Sequence, residues 1–260
     1  MNGTPDEETP SFMSYVGSLN RASGIYLGEY NGAYWVLTAE HVGYSNTFEI
    51  GGEIYSGISG SGRQVGLYDL YLFQIEVAPG STLAGLSPLS IATTAFSGSN
   101  QSLYMVGNGG SGQVAKYDPV TTELLGYSYD KGGRELNWGL GYGEADDYDY
   151  RGVMTRMIRS DFSNDQGNAA GVLGDSGGGY FRYIDDKWVL VGLIVANEQQ
   201  MRDKAALFGD YTLAIDLGTY SSTIYGMIPE PGTVGLLFTV AVAGGVWTWN
   251  GHRRNRRRVS

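Results

Sequence analysis

From about Tyr15 to Thr223 the apolar positions of this chain fall in short runs, each cut off by glycine or a polar cluster. "SGIYLGEY", "AYWVLTA", "NTFEIGGEIY", "LYDLYLFQIEV", "SLYMVGNG", "KWVLVGLIVA" and "DYTLAIDL" are rich in β-branched and aromatic residues. They predict strands of roughly four to eight residues joined by turns. No long stretch before Met227 carries a helical period with caps; "SSTIYGM" is a candidate start for a terminal helix. The pattern predicts an all-β fold, either a sandwich or a pair of barrels. No internal repeat of fixed period interrupts it.

Composition agrees. The 260 residues include 41 Gly and 20 Tyr, and 42 % are hydrophobic, enough for a sizeable core. No cysteine is present, which removes disulfides, thiolate metal sites and cysteine nucleophiles together. From Met227 on, the only acid is Glu230 and the only bases besides His252 are five arginines. Residues 1–226 therefore hold 26 of the 27 acids and 12 of the 17 bases, a net of −14. A body this acidic argues against nucleic acid as a partner. The acid cluster "EADDYDYRG" (144–152) lacks the oxygen spacing and fixed glycine of a calcium loop, so a solvated surface loop is expected there. No metal and no cofactor is expected.

The last 34 residues form a separate object. Pro229-Glu230-Pro231 breaks the chain, and an uncharged, mostly apolar run follows from Val234 to Trp249 before the arginines. With its flanks the run covers about 232–250, close to the ~20 residues that cross a bilayer. Arginines beside such a run mark the cytoplasmic side, which puts the body outside.

Candidate chemistry centres on "GVLGDSGGGYF" (171–181), where glycines crowd around Asp175 and Ser176. Glycine serves where the backbone must take positive φ or admit another atom closely. A serine nucleophile needs a base, and histidine is the usual one near neutral pH. His252 lies among the tail arginines, which leaves His41, just past the strand "AYWVLTA". Such a base needs an acid to fix its tautomer. Asp69, flanked by Leu67, Tyr68, Leu70 and Tyr71, must find a partner if buried, although an edge strand would leave it in solvent.

In this order, "LTAEHV", "YDLYLF" and "GDSGGG" resemble the three signature segments of chymotrypsin/trypsin-like serine proteases. The resemblance covers most of residues 1–226 and implies two antiparallel six-stranded Greek-key β-barrels. It implies His41 as general base then acid, Asp69 as its orienting partner and Ser176 as nucleophile. The amides of Gly174 and Ser176 would form the oxyanion hole. Ala170 would lie at the base of the primary substrate pocket, with Val195, Ala196 and Asn197 on its wall. An alanine there offers no carboxylate for Lys or Arg and favours small or apolar side chains. The departures are Glu40 in place of alanine, Val42 in place of cysteine and Gly179 in place of proline. Glu40 sets a negative charge beside His41. The 28-residue spacing from His41 to Asp69 is short for the family and implies trimmed loops.

In that family the aspartate before the nucleophile pairs with a new N-terminal ammonium made by zymogen cleavage, which makes Asp175 the activation partner. Met1-Asn2-Gly3 resembles such a terminus without its first residue. The native gene is expected to continue upstream, with Ile or Val just before Met1. A signal peptide is expected there too, because "MNGTPDEETPSFMSY" has no charged or apolar leader region. The tail resembles a PEP-CTERM sorting signal, which implies export in a Gram-negative bacterium, transient inner-membrane retention and cutting near Pro229–Pro231 by an exosortase-type peptidase. The expected function is an exported serine endopeptidase acting on protein or peptide substrates. The alternative is a catalytically inactive protease-fold protein used for binding in the matrix or at the cell surface.

Overall fold

A computed structural model describes residues 10–164, 168–198 and 205–228. The tail, with its apolar span and Pro229–Pro231, lies outside these residues, as do Met1–Gly3. Among the described residues no helix is long and apolar enough to cross a membrane.

The first half builds seven strands: β1 (Val16–Leu19), β2 (Ala22–Tyr30), β3 (Ala33–Thr38), β4 (Thr47–Ile50), β5 (Glu53–Ser56), β6 (Arg63–Gln64) and β7 (Tyr71–Ile75). Their spatial order is β5-β4-β1-β2-β3-β7-β6. An antiparallel bridge from Gly57 to Ile75 joins the β5 side to β7 and rolls six of them into a barrel. The second half supplies β8 (Ser90–Ile91), β9 (Gln101–Gly107), β10 (Gly110–Tyr117), β11 (Leu124–Arg134), β12 (Asn137–Tyr150), β13 (Val153–Asp161), β14 (Gly179–Ile184), β15 (Lys187–Glu198), β16 (Ala205–Leu207) and β17 (Tyr211–Asp216). The circuit β14-β9-β12-β13-β17-β15 closes through β14–β15 pairing, which makes a second antiparallel barrel of six strands. The expected all-β double barrel is what the chain forms.

Why the strands read as continuous apolar runs is visible in their two faces. Successive side chains of a strand point to opposite sides. On β2 and β3, Tyr26 and Val36 fill the first barrel, while Ile25, Leu27, Trp35 and Leu37 face outward into a shared core. On β15, Val189 and Val191 fill the second barrel, while Leu190, Leu193 and Val195 join the same shared core. Both faces are buried, so neither is polar.

Three features differ from the sequence-based expectation. β10, β11 and β16 form an extra three-stranded sheet outside the barrels. "EADDYDYRG" is no solvated loop: residues 144–150 extend β12 and pair with β13, and Arg156 takes up Asp147 at 3.7 Å. The terminal helix, α1 (Leu217–Met227), starts earlier than "SSTIYGM". Asp216 caps it by accepting from Gly218 N–H and the Thr219 hydroxyl.

Candidate active site

β3 and β7 are neighbours with Thr38 opposite Tyr71, so the residues just beyond one and just before the other emerge together. A tight turn, closed by Val42 and Gly43 N–H onto Ala39 carbonyl, carries His41. The turn before β7 carries Asp69. The two meet in a double contact. His41 Nδ1 lies 2.8 Å from Asp69 Oδ2, and His41 backbone N–H donates to Oδ1 at 2.9 Å. With a carboxylate as acceptor, Nδ1 carries the proton and Nε2 is left free as a base. Asp69 is not on a solvent-facing edge: its side chain is 2 % exposed, against 25 % for His41. Burial pushes its carboxyl up, but the two His41 bonds and the Arg151 guanidinium outweigh that and hold it below the usual carboxylate range. Glu40 is drawn off toward Arg151, 3.7 Å away, which offsets the charge it places near His41.

Ser176 belongs to the second barrel, in the loop before β14, and the first barrel grips that loop. Ser23, fully buried on β2, donates its N–H to Ser176 carbonyl at 2.8 Å and its hydroxyl to Gly174 carbonyl at 2.9 Å. The same hydroxyl accepts from Asn108 N–H, and Thr38 holds Ser23's carbonyl. The loop thus sits against the end of β3, three residues before His41. Among the described residues Ser176 Oγ has no hydrogen bond to His41 or to any other group.

The backbone around Ser176 is equally fixed. Leu173 carbonyl accepts from Gly110 N–H at 3.1 Å, and Asp175 carbonyl accepts from Gly178 N–H at 2.8 Å. In a trans peptide the N–H points opposite the carbonyl, so tying these two carbonyls turns Gly174 N–H and Ser176 N–H away from them. Neither N–H donates to an acceptor among the described residues. Gly174 sits at φ +104°, a conformation that L side chains rarely adopt.

Asp175 is completely buried. Val172 N–H donates to Oδ2 at 2.7 Å, while Oδ1 has no partner among the described residues. Gly107 and Gly109 press so close that a Cβ at either would fall 2.4 Å from Oδ1. Burial pushes this carboxyl up to about 6, against the pull of Val172 N–H and the Arg134 guanidinium. A folded-state value above the unfolded one favours the protonated fold. The contribution is fully present below the unfolded value and is lost as pH rises through about 6. Asp175→Asn is therefore expected to gain stability relative to the parent as pH climbs from 4 to 7, by about 3 kcal/mol at the upper end. Chemical denaturation at a series of pH values measures it; parallel pH curves for the two proteins would contradict it.

The four pocket candidates are not gathered in one cavity. Ala170 lines a cavity of about 430 Å³ with Tyr127, Tyr129, Phe162, Ala206 and Phe208, and Val195, Ala196 and Asn197 are not among its walls. Val195 is buried in the core shared by the barrels. Asn197 Nδ2 instead reaches Gly171 carbonyl at 2.9 Å, and Gly171 N–H donates to Thr212 Oγ1 at 2.8 Å. Among the described residues no cluster of three or more His, Asp or Glu is placed to hold a metal ion.

Three residues at the site carry no mark in the sequence reading: Ser23, Tyr150 and Arg151. Tyr150 hydroxyl lies 3.1 Å from Asp69 Oδ2. The available signals were slight, a polar residue at the head of the apolar run "SGIYLGEY" and an "RG" turn dipeptide after an acid-rich stretch.

Two closed antiparallel barrels with a histidine–carboxylate pair on one and a glycine-flanked serine loop on the other make this a chymotrypsin-like fold. Two solved structures share this fold. Mouse neuropsin, a serine protease, superposes with a TM-score of 0.59 at 16 % identity, covering 86 % of this chain and 98 % of its own. The inactive form of the Rv3671c protease gives 0.50 at 16 % identity over 84 % of this chain and 90 % of its own. The NS6 protease of murine norovirus 1 is more distant, at 0.44 and 14 % identity over 80 % of this chain and 93 % of its own. No protein-family model and no curated protein sequence matches the chain.

Proposed function

We propose that this protein is a serine endopeptidase. The observation that carries this reading is the buried Asp69 bonded twice to His41, beside a serine loop pinned to the same barrel. In this reading His41 Nε2 takes the Ser176 proton as Oγ attacks the scissile carbonyl, and Asp69 stabilises the imidazolium. Gly174 and Ser176 N–H, free of other acceptors among the described residues, receive the oxyanion; one such donor contributes about 2.7–4 kcal/mol to the transition state. His41 then protonates the leaving amine, and water repeats the sequence on the acyl-enzyme. The direct experiment treats the full chain with a fluorophosphonate probe and maps the adduct. Ser176 is the expected site, and no labelling of Ser176 overturns the reading.

Substrate preference in this reading is for small or apolar side chains at P1. One observation supports it: Ala170 brings no charge to the cavity it lines. A peptide-library profile is expected to favour small or apolar residues over Lys or Arg at P1 by a wide margin, because a buried unpaired cation is strongly disfavoured. A profile dominated by Arg at P1 would overturn the preference.

The remaining assignments follow the sequence resemblance. Asp175, buried with one oxygen unpartnered among the described residues, suits a role as activation partner of a new ammonium. The tail holds the precursor in the inner membrane until an exosortase-type peptidase cuts near Pro229–Pro231, and the mature protein works in the cell envelope or outside it.

A further inference from the structure

We propose that Tyr150 is a positioning residue for Asp69: its hydroxyl donates to the acid that orients His41 and ties that acid to the opposite barrel. The proposal rests on the protease reading for its catalytic meaning and on geometry for its substance. Asp69 belongs to the first barrel. Tyr150 is the last residue of β12 in the second barrel, and it reaches across the cleft from a hairpin tip. Arg151 and Gly152, at φ +55° and +81°, form a two-residue turn of the type that matches strand twist. That turn sets Tyr150 opposite Val153 and fixes the direction in which its ring leaves the strand.

The hydroxyl has one proton and two acceptors in reach, Asp69 Oδ2 at 3.1 Å and Val195 carbonyl at 3.3 Å. A carboxylate is the stronger acceptor, so the proton goes to Asp69. Val195 lies on β15, and the ring packs against the core shared by both barrels. One side chain thereby connects the acid of the first barrel to a strand of the second. Burial, with Asp69 close by, pushes the Tyr150 hydroxyl up to about 12, so it stays a donor throughout the working range of a histidine base. The other charged groups here are His41 on Asp69, Arg151 at 3.9 Å from Oδ2, and Glu40 paired with Arg151.

Loss of the hydroxyl leaves Oδ2 with one donor fewer. Its charge is less dispersed, so it stabilises the imidazolium form of His41 more strongly, and the ring is held less firmly. Tyr150→Phe in the full chain is expected to raise the His41 pKa by about 0.5–1 unit. The acid limb of the kcat/KM profile should move up with it, and kcat should fall roughly 3–30-fold with little change in KM. The pKa is read from the ring-proton NMR titration, in which His41 and His252 are the only histidines and His252→Gln assigns them. This readout needs no activity. A raised His41 pKa in a protein whose Ser176 is not labelled supports the positioning role and sinks only the protease reading. A Ser176-dependent enzyme in which Tyr150→Phe melts lower, but leaves the His41 pKa and kcat unchanged, overturns the proposal, since that is the outcome of packing alone.

Discussion

Replacing Ser176 or His41 with alanine is expected to lower kcat/KM for peptide or ester substrates by roughly 10⁴–10⁶-fold. The two losses should be similar in size and should not add, because each removes one half of a single proton transfer. His41 is the only histidine of residues 1–226, and the only other one, His252, lies beside the tail arginines in the sequence; among the described residues there is no second histidine to rescue the variant. Ser176→Ala should keep the parent's thermal stability, since among the described residues Ser176 Oγ has no bond to lose, whereas His41→Ala should lose some of it, because the buried Asp69 carboxylate gives up its Nδ1 partner. Residual hydrolysis of up to roughly 10³–10⁴-fold over water is compatible with the assignment, because backbone donors and binding survive. Full activity in either variant removes that residue from the chemistry.

The second large effect is expected from a methyl group. At Gly177 an added Cβ would fall 2.0 Å from Ser23 carbonyl oxygen and 2.3 Å from Thr38 Oγ1, at φ +81°. The first of these is backbone and cannot swing away. A left-handed alanine costs about 1–2 kcal/mol and overpacking about 1–3 more. Gly177→Ala should therefore lose about 2–5 kcal/mol, a fall in Tm of roughly 4–20 °C for a domain of this size. Fluorophosphonate labelling of Ser176 should slow in the fraction that still folds, because the loop can no longer seat on Ser23. Calorimetry together with labelling kinetics tests both parts. A variant that melts with the parent and labels at the parent rate would show that the loop is not held there.

Much of this was legible in the chain because local pattern and global burial agreed. The strands with two buried faces, such as "AYWVLTA" and "KWVLVGLIVA", read as apolar runs bounded by turns. The His41, Asp69 and Ser176 segments stood out because glycine and isolated charge are unusual in such surroundings. What escaped was structure without a buried face. β10 has exposed Val114 and Tyr117 beside polar neighbours, so no two-residue period marks it as a strand. The outer half of β12 is acidic because it faces water beside β13, and its charges hid the pairing. Tyr150 and Asp69 stand 81 residues apart, and nothing local to either announces the other. Ala170, Val195, Ala196 and Asn197 were grouped by the family resemblance, but a matched position says nothing about which way a side chain turns at an irregular strand: Ile194 and Ala196 flank a register shift.

The grip of Ser23 on residues 174 and 176 also bears on when the site can take shape. The two carbonyls that shape the serine loop are held by a residue some 150 positions earlier in the chain, on the other barrel. During synthesis the first barrel is complete long before Ser176 emerges, and the second barrel alone has no Ser23 to seat its loop. Each half carries only its own part of the site, the His41–Asp69 pair on one and the serine loop on the other, and a nick that lets the barrels drift apart separates them. If the protein is the protease proposed above, its reactive capacity is tied to wholeness: a fragment, a half-made chain or a partly unfolded molecule would lack the seated loop.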